Sequence, residues 1–374
     1  MENERKRILE FVKQGVITTE EALVLLENMA KKEGVTTAEE KMNSSQTAKQ
    51  QTDSNETNTS QSSQWQQQDK TVEQPSLGDQ VGSFVTDAFK QIKEAAVPFL
   101  KPARMERAFV YQNPTASNIT LDVFNGNITV RQSKDEDLHL FVKVQNYQPL
   151  KQEHIETYFF EQTSLAYDAD SFTFKSPSKG LRVSVEIALP VTTYDLISLK
   201  TLNGTIDIAT LRCNDLLAKT TNGNVIIEGL EATDADIQSI NGELRLHDGQ
   251  LRQLEMTTVN GPINYTGECK QVGLQTKNGS ITARLEGNGT EDANIKTTAG
   301  AIKVSLPNTI GIDGDLRSNF GKIQLNLADF DLLLDEKDKV KKHKLFTKMP
   351  LSPGNVTLVC DSSAGNIQIE EYRS

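Results

Sequence analysis

The sequence predicts a mainly β protein, most of it a β-solenoid of about eight two-strand rungs of 18 to 22 residues, with a small N-terminal α-hairpin and an amphipathic helix. Three observations predict the solenoid. First, an Asn-Gly step recurs: Gly204, Gly223, Gly242 and Gly261 lie 19 residues apart, each after an Asn, and Asn278-Gly279 follows 18 residues later. The period continues without the Asn at Ala299-Gly300, Phe320-Gly321 and, past an insertion, Ala364-Gly365.

Second, apolar residues alternate on both sides of the step. Counting each glycine as zero, position +2 holds Ile206, Val225, Leu244, Ile263, Ile281, Ile302, Ile323 and Ile367, and +4 is apolar or aromatic except at Ala283. Position −5 holds Leu199, Ala218, Ile237, Met256, Leu274, Ile295, Leu316 and Cys360. That is two short strands per unit, each with one buried face, joined at a corner where Asn and Gly tolerate positive φ. Third, position −3 is always a small hydroxyl residue: Thr201, Thr220, Ser239, Thr258, Thr276, Thr297, Ser318 and Ser362. An antiparallel meander would also satisfy the alternation, because Asn-Gly is a strong hairpin signal. The unbroken hydroxyl column favours stacking, since rungs about 4.8 Å apart place like residues in ladders.

The remaining elements follow in chain order. Residues 1–34 read as a helical hairpin: Ile8, Leu9 and Val12 share one face, Gly15 ends the run, and Thr18 to Glu21 forms a capping box before Leu25, Leu26 and Met29. So short a unit buries too little surface to stand alone. Those six apolar residues are therefore expected to meet a second copy or another protein, or to dock on the rest of the chain. Residues 35–76 are a Gln/Ser/Thr/Asn tether with Trp65 its only aromatic residue. Residues 77–104 contain an amphipathic helix, with Val81, Phe84, Val85, Ala88, Phe89 and Ile92 at helical spacing, suited to capping an open solenoid end or lying on a membrane. The β domain spans 105–374. Within it Asn125-Gly126 looks like an isolated unit of the same kind, and the charged insertion 329–352 reads as a solvated excursion.

Composition bounds function. A formal net charge of −11 argues against general nucleic-acid binding. Cys213 and Cys269 fall about three rungs apart, roughly 14 Å, too far for a disulfide. There is no apolar run long enough to span a bilayer, and MENERKRILE has no apolar core of a conventional signal peptide. His139, His154, His247 and His343 are scattered, and neither a P-loop nor a nucleophile elbow is present, so no catalytic residue, metal or cofactor is expected. Glu228 and His247, both at +5 on neighbouring rungs, read as a surface ion pair rather than as catalytic groups. The outward column at −4 carries Lys200, Lys219, Lys296 and Arg317, a candidate ligand face for an anionic lipid or glycan, or simply a solvated face. Outward Leu202, Ile240 and Val259 at −2 form an apolar strip that the 77–101 helix or a partner is expected to cover.

The repeated NGxIxI units, the lead-in VEIALPVTTYDLISLKTLNGTIDI and the opening ERKRILEFVKQGVITTEEALVLLENMA together resemble the bacterial putative-adhesin domain family of YvlB- and LiaG-type proteins. The pairing of hairpin and β domain is most similar to LiaX-type cell-envelope stress proteins, over about 1–34 and 105–374. The G-x-I-T-x-E-E-A-x-x-L-L pattern also resembles short oligomerisation hairpins. The resemblance implies a non-enzymatic sensor or regulator of envelope stress in a Gram-positive bacterium, at the envelope or cell surface, that binds antimicrobial peptides or a membrane surface and meets a signalling partner. A structural adhesin or glycan- or lipid-binding module is the alternative function, and the cytoplasm the alternative location.

Overall fold

The computed structural model describes residues 102–147 and 152–373. The hairpin with Ile8, Leu9, Val12, Leu25, Leu26 and Met29, the tether and the helix expected over 77–101 all lie outside the described residues.

The chain enters through β1 (Arg104–Tyr111) and makes a first rung from β2 (Asn118–Asn125) and β3 (Ile128–Gln132) around Asn125-Gly126. Strand β4 (Leu138–Asn146), helix α1 (Ile155–Gln162) and β5 (Ser164–Tyr167) precede a second rung of β6 (Ser171–Ser176) and β7 (Leu181–Leu189). Regular winding begins with β8 (Tyr194–Asn203), β9 (Ile206–Asn222), β10 (Val225–Gln238), β11 (Leu244–Asn260) and β12 (Ile263–Asn278). It continues through β13 (Ile281–Leu285), β14 (Asp292–Ala299) and β15 (Ile302–Pro307). Then come β16 (Gly311–Ser318), β17 (Ile323–Asn326), the hairpin of β18 (Phe330–Lys337) and β19 (Lys342–Lys348), and finally β20 (Asn355–Ala364) and β21 (Ile367–Tyr372).

Neighbouring rungs are parallel and in register: Ile206 pairs Val225, Val225 pairs Leu244, and Leu244 pairs Ile263. This is the stacked architecture, and an antiparallel meander is excluded for these units. The +2 column is buried throughout, from Ile128 to Ile367. Ala283, the small exception at +4, lies beside the largest residue of that column, the buried Tyr265. Cys213, Ala232, Leu251 and Cys269 occupy successive positions of one column, which confirms the separation of the two thiols. All three cysteines are free.

Stack order departs from chain order at both ends. Strands β20 and β21 pair in parallel with β14 and β15, while β16 and β17 lie on their far side. The last unit in sequence is therefore wedged between the two that precede it. At the other end β2 and β3 sit between β6–β7 and β8–β9, so Asn125-Gly126 is an integral rung rather than an isolated unit.

Antiparallel strands close both ends, as unpaired parallel edges require. Strand β4 pairs β7, β1 pairs β4 and β5 pairs β6. Helix α1 buries Ile155 and Phe159, the latter 6.5 Å from the Phe174 ring. At the far end the insertion is a hairpin whose strand β19 pairs β16. Its strand β18 is mostly exposed, as expected of a solvated excursion, but β19 is paired along its length with β16 and partly buried there. Phe346 is buried against Gly314, and the buried Lys348 donates to the Asn308 carbonyl at 2.7 Å.

The Asn-Gly corner has a different physical basis from the one the sequence suggests. None of its Asn residues has positive φ; among its glycines Gly126 does (φ 138°), while Gly261 and Gly300 are close to extended, and Thr210 (φ 51°), Gly229 (φ 79°) and Asp248 (φ 59°) are left-handed at the opposite corner. Glycine is required by close approach. A Cβ at Gly204, Gly223, Gly242, Gly261, Gly279, Gly300 or Gly365 would run into the carbonyl of the stacked glycine one rung before it. That same carbonyl accepts the hydroxyl at −3: Thr201 donates to Gly126, Thr220 to Gly204, Ser239 to Gly223 and Thr258 to Gly242, at 3.0 to 3.2 Å. Thr276, Thr297, Ser362 and Ser318 continue the pattern onto Gly261, Gly279, Gly300 and Gly365. Outside the corner the Asn side chains form an amide ladder, from Asn203 on Asn125 at 2.7 Å to Asn278 on Asn260 at 2.9 Å.

Three substitutions test this account. Gly242→Ala should destabilise the fold by about 3 kcal/mol, because backbone cannot yield as a side chain would. Thr258→Val, which leaves a buried carbonyl short of its donor, should cost about 1–3 kcal/mol while Thr258→Ser costs less. Denaturant unfolding of the four proteins measures both.

Candidate ligand-binding face

Strand alternation places positions −2, −4, −6 and −8 of each rung on one outer face and +1, +3 and +5 on the other. The second face is largely self-satisfied. Arg131 clasps Asp207 through bonds of 3.0 and 2.9 Å, Arg245 meets Glu243 at 2.7 Å and Lys303 meets Glu370 at 2.9 Å. Glu228 and His247 do come together, 3.9 Å apart, with side chains 57% and 62% exposed. That is a loose, solvated pair.

The pre-turn face is different. Lys200 and Lys219 are neighbours in register, Lys219 with Asp236 at 3.4 Å and Lys200 without a carboxylate partner among the described residues. Lys296 and Arg317 share their column but not their neighbourhood, since Gln238, Thr257 and Gln275 intervene. The displaced rungs then put acids into the column: Asp122 beside Lys200, and Asp361 between Lys296 and Arg317. Arg317 also meets Asp315 at 2.7 Å. Basic character is thus concentrated at Lys200 and Lys219.

Beside those two lysines runs the apolar −2 column of Leu202, Ile240 and Val259, with Thr221 between, and the two columns line a groove of about 620 Å³. Ile240 is 47% exposed. Phe124 extends the strip; sequence reasoning missed it because the Asn125-Gly126 unit was not placed in the stack, although its offset of −2 was the available signal. Lys179 Nζ lies 5.7 Å from the Phe124 ring, adding a third cation at that end. An apolar floor with a cationic edge suits an amphipathic anion.

Groups suited to other chemistry are engaged or buried. Asp135, Asp137 and His139 bring three ligand atoms within 4.8 Å of one another. Asp135 Oδ1, however, already takes His139 Nε2 at 2.8 Å, the Ser133 hydroxyl at 2.8 Å and the Asp137 amide at 3.1 Å. His139 first, then Ser133, lowers the Asp135 carboxyl to about 2. Burial, then Asp215, pushes the Cys213 thiol up to about 12; burial pushes Cys269 up to about 11, and burial raises Cys360 also. Such thiols are poor nucleophiles. No helix of the described residues is long and apolar enough to cross a membrane.

A model of the Toastrack DUF4097 family matches residues 116–370, which takes in the rungs and both end closures apart from β1. The chain belongs to the Toastrack DUF4097 family. A SHOCT-like domain model matches residues 3–34, where the sequence places the helical hairpin. Among Toastrack relatives, the uncharacterized protein YvlB of Bacillus subtilis is 30% identical over 381 residues, spanning 99% of each chain. The fold is similar to that of a putative adhesin from Bacteroides fragilis, 16% identical with a TM-score of 0.42, covering 72% of this chain and 99% of that one. A putative adhesin from Parabacteroides merdae is 12% identical, with a TM-score of 0.37 and coverage of 72% and 96%.

Asp135 gives a pH test. A folded carboxyl held near 2 against about 4 when unfolded contributes stability that is present above pH ~4 and lost as pH falls through about 2. In His139→Ala the Asp135 titration, followed by carboxyl NMR, should move up towards the ordinary carboxylate range. Separately, a maleimide should leave Cys213, Cys269 and Cys360 unmodified in the native protein and label all of them after unfolding, as mass spectrometry would read.

Proposed function

We propose that this Toastrack chain is a non-enzymatic, adhesin-like binding module of the cell envelope, and that its groove holds an anionic lipid of the membrane surface. The observation that carries this reading is the adjacency of two unlike columns: exposed Ile240 with half-buried Phe124, Leu202 and Val259 beside Lys200 and Lys219, on a molecule whose opposite face is largely ion-paired. Acyl chain would lie along the strip and headgroup against the lysines.

A second reading adds regulation, and the SHOCT-like match over 3–34 favours it. In that reading Ile8, Leu9, Val12, Leu25, Leu26 and Met29 join copies of the chain or a signalling partner, and the Gln/Ser/Thr tether lets the β domain report on envelope stress, as in LiaX-type proteins of Gram-positive bacteria. Membrane-active antimicrobial peptides would then act as the stress signal. Lys296 and Arg317 take no part in the lipid site as proposed.

Co-sedimentation of the full chain with phosphatidylglycerol vesicles, against phosphatidylcholine controls, tests the first reading. Binding should be selective for the anionic vesicles and fall with salt. It should weaken about tenfold or more in Lys200→Glu/Lys219→Glu and in Ile240→Asp/Val259→Asp, a loss of about 1.4 kcal/mol. Equal binding by all three proteins, or none by the wild type, overturns it. For the second reading, deleting residues 1–34 should abolish self-association in sedimentation while vesicle binding persists.

A further inference from the structure

We infer a second site on the pre-turn face, adjoining the groove along β11: a notch at β11, β12 and β14 that binds a sugar unit of a saccharide. It shares no residue with the lipid groove and stands independently of that reading.

The notch begins with a missing side chain. At position −6 the register aligns Glu255, Gly273 and Asn294, so one rung presents bare backbone between two side-chain-bearing neighbours. Gly273 has no left-handed φ that would demand glycine. Nor does backbone close approach demand it, for a Cβ there would meet only the flexible end of Glu255, whose carboxylate leans across the gap. The glycine therefore does here what the corner glycines do not: it opens a hollow on the outside of the sheet. That hollow measures about 250 Å³.

Its rim decides the ligand class. Gln271, Gln275 and Asn294 each bring an amide with donor and acceptor, Glu255 and Asp292 bring carboxylate acceptors, and Lys296 brings donors. None of these six side chains has a hydrogen-bond or ion-pair partner among the described residues. Some charges on this face are paired, as Arg252 is with Asp234 at 2.5 Å and Lys219 with Asp236 at 3.4 Å. The sheet register fixes where the six side chains start around Gly273, though each, being exposed, is ordered only on binding.

A ligand that matches must donate and accept many hydrogen bonds within a small volume. Hydroxyl-rich sugar rings do so, with carboxylates and amides spanning adjacent hydroxyls and the ring's C–H face reaching the Gly273 backbone as the Glu255 carboxylate swings from above it to a hydroxyl. Two carboxylates disfavour a phosphate or other anion, and with no outward apolar side chain on the rim an acyl chain gains nothing.

The full chain titrated with chitotetraose, cellotetraose and maltotetraose, followed by calorimetry and amide NMR, tests this. Saturable binding of at least one is expected, with shifts centred on Gly273. Gly273→Gln, which fills the hollow, and the exposed-surface double variant Gln271→Ala/Asn294→Ala should each weaken it about tenfold or more, the worth of one or two hydrogen bonds. If Gly273→Gln also lowers thermal stability, the double variant decides. Lys200→Glu/Lys219→Glu should leave saccharide binding unchanged, and Gly273→Gln should leave vesicle binding unchanged, so the two sites fail separately. Absence of saturable binding to all three probes, or binding that survives both notch variants, overturns the proposal.

Discussion

Glycine backbone resting on glycine backbone is the contact from which the rest of this molecule follows. At each Asn-Gly corner the main chain of one rung lies so close to the next that no side chain fits between them. Close approach alone would strand buried carbonyls, and a stranded carbonyl in a dry interior costs about as much as a lost hydrogen bond. A Thr or Ser three residues before the glycine meets that need in all eight repeat units from Thr201 to Ser362, while glycine amides such as Gly204 and Gly223 donate to Asn222 and Asn241 at 3.0 Å. Once carbonyl, hydroxyl and amide are all committed, a rung can neither slide nor rotate. Fixed register makes columns, and columns make faces with distinct chemistry.

Much of this was legible in the residues. The period located the corners, alternation separated inside from outside, and the hydroxyl column pointed to parallel stacking, which the register bears out. Two things were hidden for physical reasons. The hydroxyl column was visible but its purpose was not, because its partner is a backbone atom some 16 residues away and backbone atoms leave no mark on a sequence. Rung order was hidden because every rung presents nearly the same offsets. Ile302 can stack on Ile323 or on Ile367 equally well by pattern, and only the complete set of pairings selects Ile367.

The candidate face shows the same division. Lys200 and Lys219 are consecutive in both sequence and stack, so their juxtaposition was readable. Asp122 and Asp361 reach the basic column only because displaced rungs carry them there, and with them the expected ladder from Lys200 to Arg317 becomes a two-lysine patch. Phe124 joins the apolar strip by the same displacement. Gly273 was invisible as a feature, since one glycine within a strand has no periodic partner to draw attention to it.

The wedged rung also sets an order of assembly. A plain solenoid can wind from the ribosome one coil at a time, each new coil finding its template already laid. Here β16 and β17 emerge before the surface they rest on exists, because that surface is β20 and β21, made some forty residues later. They must wait, with the β18–β19 hairpin between them and their seat, until the final strands thread into place. The last coil in sequence is thus a keystone, and a chain cut short before it would lose an inner coil, not the outermost one.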